Sequence, residues 1–276
     1  MRLTSPTDVR GLLAERGLAP SKSMGQNFLI DANTRDRIVD AAEVSAGDRV
    51  LEIGPGLGVL TEELLARGVD LTAVEKDRGL AEWLREHFAG KQRLRLIEGD
   101  ALEEDLGAVD APVWVSNLPY SVGSRIMVDA VQGAHAPERL VVMVQRDVAD
   151  RAMAQVGGKE YGLFSVVLQA HCTVERVLHV GGRCFVPEPR VGSTVICLKR
   201  RADAPVWDQP GAFSKVLNRV FAHRRKQLGT ILRKEFGWDE ARVAEALAEV
   251  GVSPDLRPEK VEPAAWVVLG QRLIQA

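Results

Sequence analysis

Between Arg49 and Gln145 short apolar runs alternate with segments whose apolar residues return every three or four positions. The runs predict strands at 49–53, 71–75, 94–98, 112–116 and 139–145, and the spaced segments predict helices at 57–67, 78–88, 122–134 and 146–155. Two further strands are expected at 163–174 and 193–200. Strands this apolar, joined by helical crossovers, call for a parallel sheet covered on both faces. Upstream, Ser5 or Thr7 can cap a helix that runs to about Arg16 and closes at Gly17. From Pro20 the segment that includes Lys22 to Leu29 has no period and reads as a loop, followed by a helix over 32–42. Beyond Asp203 the pattern changes. Pro205 and Pro210 mark a linker, and short helices are expected at 211–222, 226–235, 239–249 and 263–274. The division expected is an α/β domain over 1–202 and a small helical domain over 203–276.

A chain of 276 residues accommodates both. With 46% hydrophobic and 27% charged residues it has an ordinary globular composition. No apolar run approaches the roughly 18 residues that span a bilayer, and the first residues lack the apolar core of a signal peptide. A cytoplasmic protein without membrane association is expected, and a monomer. Cys172, Cys184 and Cys197 are widely spaced and the histidines are scattered, so no metal is expected. The net charge of −2 hides an asymmetry: residues 183–276 carry 16 Lys+Arg against 11 Asp+Glu, a net of +5. Within 183–234 there are 12 basic and 3 acidic residues. A chain acidic as a whole and this basic locally points to one phosphate-binding face.

Candidate chemistry gathers at the ends of the expected strands. Val50 to Ile53 runs into Gly54, Gly56 and Gly58 before a helix, where glycine lets the backbone turn through positive φ and approach a ligand. The second strand ends in Glu75, placed to take a ribose diol. Together they imply a nucleoside-containing cofactor. The spacing is G-x-G-x-G, not the dinucleotide G-x-G-x-x-G, and it resembles the S-adenosylmethionine turn of class I methyltransferases. Asp100, after the third strand, suits either an acceptor for an adenine amine or a helix N-cap. The fourth strand ends in Asn117-Leu118-Pro119-Tyr120. Asn and Pro are common in turns, but in this place the tetrapeptide resembles the Asn/Asp-Pro-Pro-Tyr element of methyltransferases acting on a ring-conjugated amine. The Asn117 oxygen and the Leu118 carbonyl can accept N6–H bonds, proline fixes the backbone and has no N–H, and Tyr120 can stack on the base.

Gly25-Gln26-Asn27-Phe28-Leu29, Glu52-Ile53-Gly54-Pro55-Gly56, Asn117-Leu118-Pro119-Tyr120 and Phe185-Val186-Pro187-Glu188-Pro189-Arg190-Val191 occur in this order. In this combination the chain, from about Lys22 to its end, resembles the ribosomal RNA adenine N6-dimethyltransferase family. The resemblance implies a class I methyltransferase fold with a seven-stranded sheet, S-adenosyl-L-methionine as cofactor, and cofactor contacts from Asn27, Leu29, Gly54, Gly56, Glu75, Asp100 and Asn117. It also implies that Phe185, in a loop stiffened by Pro187 and Pro189, stacks on the target adenine opposite Tyr120. Arg224, Arg225 and Lys226 are expected to meet RNA phosphates from a helix over 224–228. Arg257-Pro258-Glu259-Lys260-Val261 stands where the family has Arg-Ala-Glu-x-Leu, and departs from it at Pro258 and Val261. The implied activity is dimethylation of two adjacent adenines in the 3′-terminal hairpin of 16S rRNA, within an immature 30S subunit. A 23S rRNA adenine N6-methyltransferase of the macrolide-resistance type and a ribosome-assembly factor with incidental catalysis are the alternatives.

Overall fold

The computed structural model describes residues 1–20, 26–133 and 135–275; Gly25 and the preceding Lys22 to Met24 of the expected loop lie outside them. The strands are β1 (Phe28–Leu29), β2 (Arg49–Ile53), β3 (Asp70–Glu75), β4 (Leu94–Glu98), β5 (Val113–Asn117), β6 (Arg139–Gln145), β7 (Cys172–Val180), β8 (Phe185–Val186) and β9 (Ser193–Arg200). The helices are α1 (Pro6–Glu15), α2 (Ala32–Ala42), α3 (Val59–Ala66), α4 (Arg78–His87), α5 (Gly123–Gln132), α6 (Arg146–Ala152), α7 (Leu163–His171), α8 (Ala212–Phe221), α9 (Leu228–Phe236), α10 (Glu240–Glu249) and α11 (Pro263–Ile274).

Seven strands form one sheet in the order β4-β3-β2-β5-β6-β9-β7. β4, β3, β2, β5 and β6 pair in parallel, and β9 enters antiparallel to β6, from Arg139↔Lys199 to Gln145↔Ser193. The strand order reverses between β2 and β5, which opens a crevice at the carboxyl edge of an α/β sheet. Ile53, Glu75, Glu98 and Asn117 end four adjacent strands there. Crossover helices are held by local chemistry. The Asp77 carboxylate caps α4 by accepting from the Gly79 and Leu80 amides, and Arg85 occupies its last turn, where a cation suits the helix dipole. Asp31 caps α2 by accepting from the Thr34 amide at 2.7 Å. Val50, Leu51, Leu71, Val115 and Val141 fill the sheet core, each at 1% exposure or less.

The segment expected as a strand over 163–174 folds instead as α7 followed by the start of β7. Its apolar run is buried around the whole helix, from Phe164 to His171, so it shows no amphipathic period and mimics a buried strand. The chain forms two compact units, and they do not divide at residue 202. One comprises Met1–Ile126, His135–Ala149 and Glu175–Lys199; the other comprises Met127–Ala134, Asp150–Val174 and Arg200–Ala276. The second unit thus takes α7 as well as the four C-terminal helices, because α7 supplies them with an apolar surface to pack on. Trp266 and Phe213 are fully buried in this unit. Gly270, in mid-α11, is where the Phe213 ring crosses: a Cβ there would stand 2.6 Å from it.

Candidate active site

A cleft with about 1170 Å³ of empty space, open at its mouth, lies at the carboxyl ends of β2 to β5. Asn27, Leu29, Gly54, Gly56, Glu75, Asp100, Asn117, Leu118, Pro119 and Tyr120 all line it. The glycine turn is built as its sequence suggests. Gly54, Gly56 and Gly58 have φ of 65°, 60° and 93°, a region that costs L-residues with a Cβ dearly. A Cβ at Gly56 would lie 3.2 Å from the Phe28 ring, and one at Gly58 would lie 2.6 Å from Phe88.

Glu75 is 5% exposed. One of its oxygens accepts from the Gly56 amide at 3.0 Å and the other from the Asp77 amide at 2.8 Å. With a further backbone bond from Lys76, these bonds orient the carboxylate and still leave it some acceptor capacity. Burial raises its pKa, and the amide bonds work against that rise. Asp100 accepts from Lys76 Nζ at 2.5 Å and from the Leu102 amide at 3.0 Å. The lysine bond, then the amide, holds its carboxyl below the usual range, so it stays an acceptor. No helix follows Asp100, so it is not an N-cap; one of its oxygens closes a turn by accepting from the Leu102 amide, and the residue lines the cleft.

At the end of β5 the Asn117 side-chain nitrogen donates to the Asn27 carbonyl at 3.2 Å. A carbonyl can only accept, so this bond fixes which end of the carboxamide is which. The amide oxygen is left as the available acceptor, and it takes no hydrogen bond among the described residues. The next residues form a tight turn. Leu118 is buried and donates its amide to the Met143 carbonyl at 3.1 Å, and the Pro119 carbonyl accepts from Val122 and Gly123. The Tyr120 hydroxyl bonds Ser193 Oγ at 2.7 Å, and burial raises the phenol's pKa. Tyr120 is thereby a neutral ring tethered at its far end.

Phe185 does not share this cleft. It is 3% exposed, pairs with Leu29 in the β1–β8 ladder, and belongs to the hydrophobic core. The expectation of a presented ring is corrected: strand pairing fixes the backbone at 185, so the ring packs inward while Pro187 remains exposed. Arg224, Arg225 and Lys226 are exposed but lie in the turn between α8 and α9, not on a helix over 224–228. Arg224 donates to the Lys159 carbonyl at 3.2 Å.

Sequence reasoning gave Glu52 no role. It is 1% exposed, lines the cleft, and accepts from Thr61 Oγ1 at 2.6 Å. Burial, with Glu75 nearby, pushes its pKa to about 8, against the pull of the Thr61 bond. An acid inside the otherwise apolar run Val50 to Ile53 was the available signal. Ser193 had none, standing 73 residues from Tyr120. The donor set suits a nucleoside with a small polar tail: two carboxylate acceptors at successive strand ends, and a glycine turn that side chains would fill. Among the described residues no group of three or more His, Cys, Asp or Glu is placed to hold a metal, and no helix is long and apolar enough to cross a membrane.

Comparison with known proteins agrees with this geometry. The model of the ribosomal RNA adenine dimethylase family matches residues 19–273. Ribosomal RNA small subunit methyltransferase A of Deinococcus radiodurans is 41% identical over 260 residues, 94% of this chain and 87% of that protein. The protein of the same name from Moorella thermoacetica is 39% identical over 270 residues, 93% of each chain. Among solved structures, a dimethyladenosine transferase from Plasmodium falciparum superposes with a TM-score of 0.75 at 22% identity, covering 87% of this chain and 95% of that one. The 23S rRNA methyltransferase ErmE does so with a TM-score of 0.66 at 29% identity, covering 90% and 99%. The fold is that of the class I methyltransferases, and the chain belongs to the ribosomal RNA adenine dimethylase family.

Proposed function

We propose that this chain transfers methyl groups from S-adenosyl-L-methionine to N6 of two adjacent adenines in the 3′-terminal hairpin of 16S rRNA. Its substrate is an immature 30S subunit in the cytoplasm, and it acts as a monomer. The observation that carries the reading is the orientation of Asn117: its nitrogen is committed to the Asn27 carbonyl, so its oxygen is the acceptor left for a substrate amine.

When bound, the cofactor supplies an activated methyl group as a sulfonium. Glu75 would hold its ribose and Asp100 its adenine amine, the Gly54–Gly56 turn would leave room for it, and Asn27 and Leu29 would cover it. The adenine N6 lone pair is delocalised into the purine. Acceptance of its N–H bonds by Asn117 and the Leu118 carbonyl draws the nitrogen toward sp³ geometry and concentrates density for attack. Tyr120, tethered to Ser193, offers its ring face to the base. Positioning supplies much of the acceleration, and no strong base is needed before attack. After the first transfer the alkylated nitrogen sheds one proton to solvent, so one N–H remains for two acceptors, and the second transfer uses one of them while the first methyl turns aside. Residues 203–276 serve as the RNA-binding part, with Arg224, Arg225 and Lys226 on phosphates.

The names of the relatives favour the small subunit, whereas the likeness to ErmE keeps a 23S target as the second reading. Labelled S-adenosylmethionine supplied to undermethylated 30S and 50S subunits tests both. The expected result is label on the two adenines of the 16S hairpin, and label in the 50S subunit alone overturns the proposal. An assembly role is separated by Asn117→Ala. Loss of methylation with loss of normal subunit maturation fits catalysis as the purpose; normal maturation in this variant, but not on deletion, makes assembly the dominant role.

A further inference from the structure

A second, open pocket of about 450 Å³ lies where α1 meets β8. We infer that it is a second RNA subsite, which takes one nucleotide of the strand that carries the methylated base. The inference rests on the RNA-methylating function proposed above. The pocket has an apolar floor of buried Ile30, Phe185 and Val186. Exposed Pro6 and Pro187 stand at its sides. Arg10 and Arg183, both exposed, supply its cations.

Neither arginine makes an ion pair among the described residues. Elsewhere in the same unit Arg16, Arg35, Arg49, Arg67 and Arg85 each hold a carboxylate. Two uncommitted guanidiniums beside an apolar recess match a nucleotide: the planar forks suit a phosphate, and the base lies against the apolar walls. Glu188 also lines the pocket. Its carboxylate folds over the Gly181-Gly182 turn, where a Cβ on Gly182 would lie 2.8 Å from its oxygen. The rim thus carries two positive charges and one negative.

The location ties this pocket to the cleft. Phe28 and Leu29 of β1 line the cleft, while the next residue, Ile30, lines the pocket and donates its amide to the Cys184 carbonyl at 2.8 Å. The opposite strand of the ladder, β8, supplies Phe185 and Val186 to the pocket. One two-stranded ribbon therefore walls both, which places the second nucleotide beside the first.

The test is binding to undermethylated 30S subunits across a KCl titration. Arg10→Gln and Arg183→Gln are each expected to weaken binding several-fold, and the pair to reduce the slope of log affinity against log salt by about 1, the loss of one phosphate contact. Glu188→Gln is expected to tighten binding several-fold, since it removes repulsion from the same phosphate. Calorimetric binding of S-adenosylmethionine should be equal in all variants and reports an intact fold. Unchanged affinity and slope in both arginine variants, with normal 30S binding by the parent, overturns the subsite alone. Glu188→Gln weakening binding in step with the arginine variants overturns it as well. Failure of the parent to bind 30S subunits removes the functional reading and the subsite with it.

Discussion

In the helical unit His171 is fully buried, and both its ring nitrogens are engaged. Nδ1 lies 2.7 Å from the Val167 carbonyl and Nε2 lies 3.0 Å from Trp207 Nε1. An indole N–H only donates, so Nε2 accepts and the proton sits on Nδ1. Gln132 behaves likewise, donating to the Val128 carbonyl and accepting from the Ser214 amide, and the Tyr161 hydroxyl donates to the Val261 carbonyl. In the cleft of the sheet unit, Asn117 has its nitrogen committed and its oxygen in reserve, and Glu75 keeps acceptor capacity beyond its backbone amide bonds. His171, Gln132 and Tyr161 thus spend their bonding capacity inside the fold, although the buried Trp238 and Trp266 indole nitrogens of the same unit find no partner among the described residues. Polar groups that form a site are fixed by part of their capacity and hold the rest for a ligand.

Breaking the reserved half should harm chemistry more than folding. Asn117→Ala is expected to lower kcat by about 10²- to 10³-fold, the usual loss when one directed polar partner of a reacting group is removed, in a single-turnover methylation assay. Glu75→Ala should weaken S-adenosylmethionine binding by roughly 10- to 100-fold, as hydrogen bonds to a charged group are worth about 1.5–3 kcal/mol; titration calorimetry checks it. Breaking a fully used group should do the reverse. His171→Phe is expected to cost about 1–3 kcal/mol by stranding the Trp207 N–H, measured by urea unfolding, with methylation at saturating substrate retained.

The pH dependences of the two buried groups have opposite signs. Burial lowers the His171 pKa, so the folded state prefers the neutral ring. Its contribution is present above the unfolded value of about 6.5 and is lost as pH falls below it. The parent should therefore lose stability on the acid side more steeply than His171→Phe. Glu52 is raised from 4.5 to about 8, so the folded state retains a proton the unfolded chain has released. Its contribution is full below 4.5 and is lost as pH rises to about 8. Between pH 6.5 and 8 stability should fall by on the order of 1 kcal/mol per pH unit, and Glu52→Gln should flatten that limb.

The sheet was legible because its strands are short apolar runs closed by Gly, Asp or Asn. Where burial erased the period, as in Leu163 to His171, a helix passed for a strand. The true strand, Cys172–Val180, has polar residues along much of its length and hid in plain composition. In the cleft the residues at strand ends could be placed by topology alone. Phe185 could not, since a ring beside prolines reads as exposed until its pairing with Leu29 is known. Nor could the partners of Asn117 and Tyr120, which lie 90 and 73 residues away.

The bond between Asn117 and the Asn27 main chain has a practical corollary for protein engineering. The carboxamide proposed above to meet the substrate amine owes its heading to a peptide group laid down far earlier in the chain, not to the tetrapeptide that contains it. Grafting Asn-Leu-Pro-Tyr onto a foreign scaffold would copy the letters and lose the aim. On that proposal, an indel that displaced the carbonyl of residue 27 would impair methylation with every residue of the tetrapeptide still present.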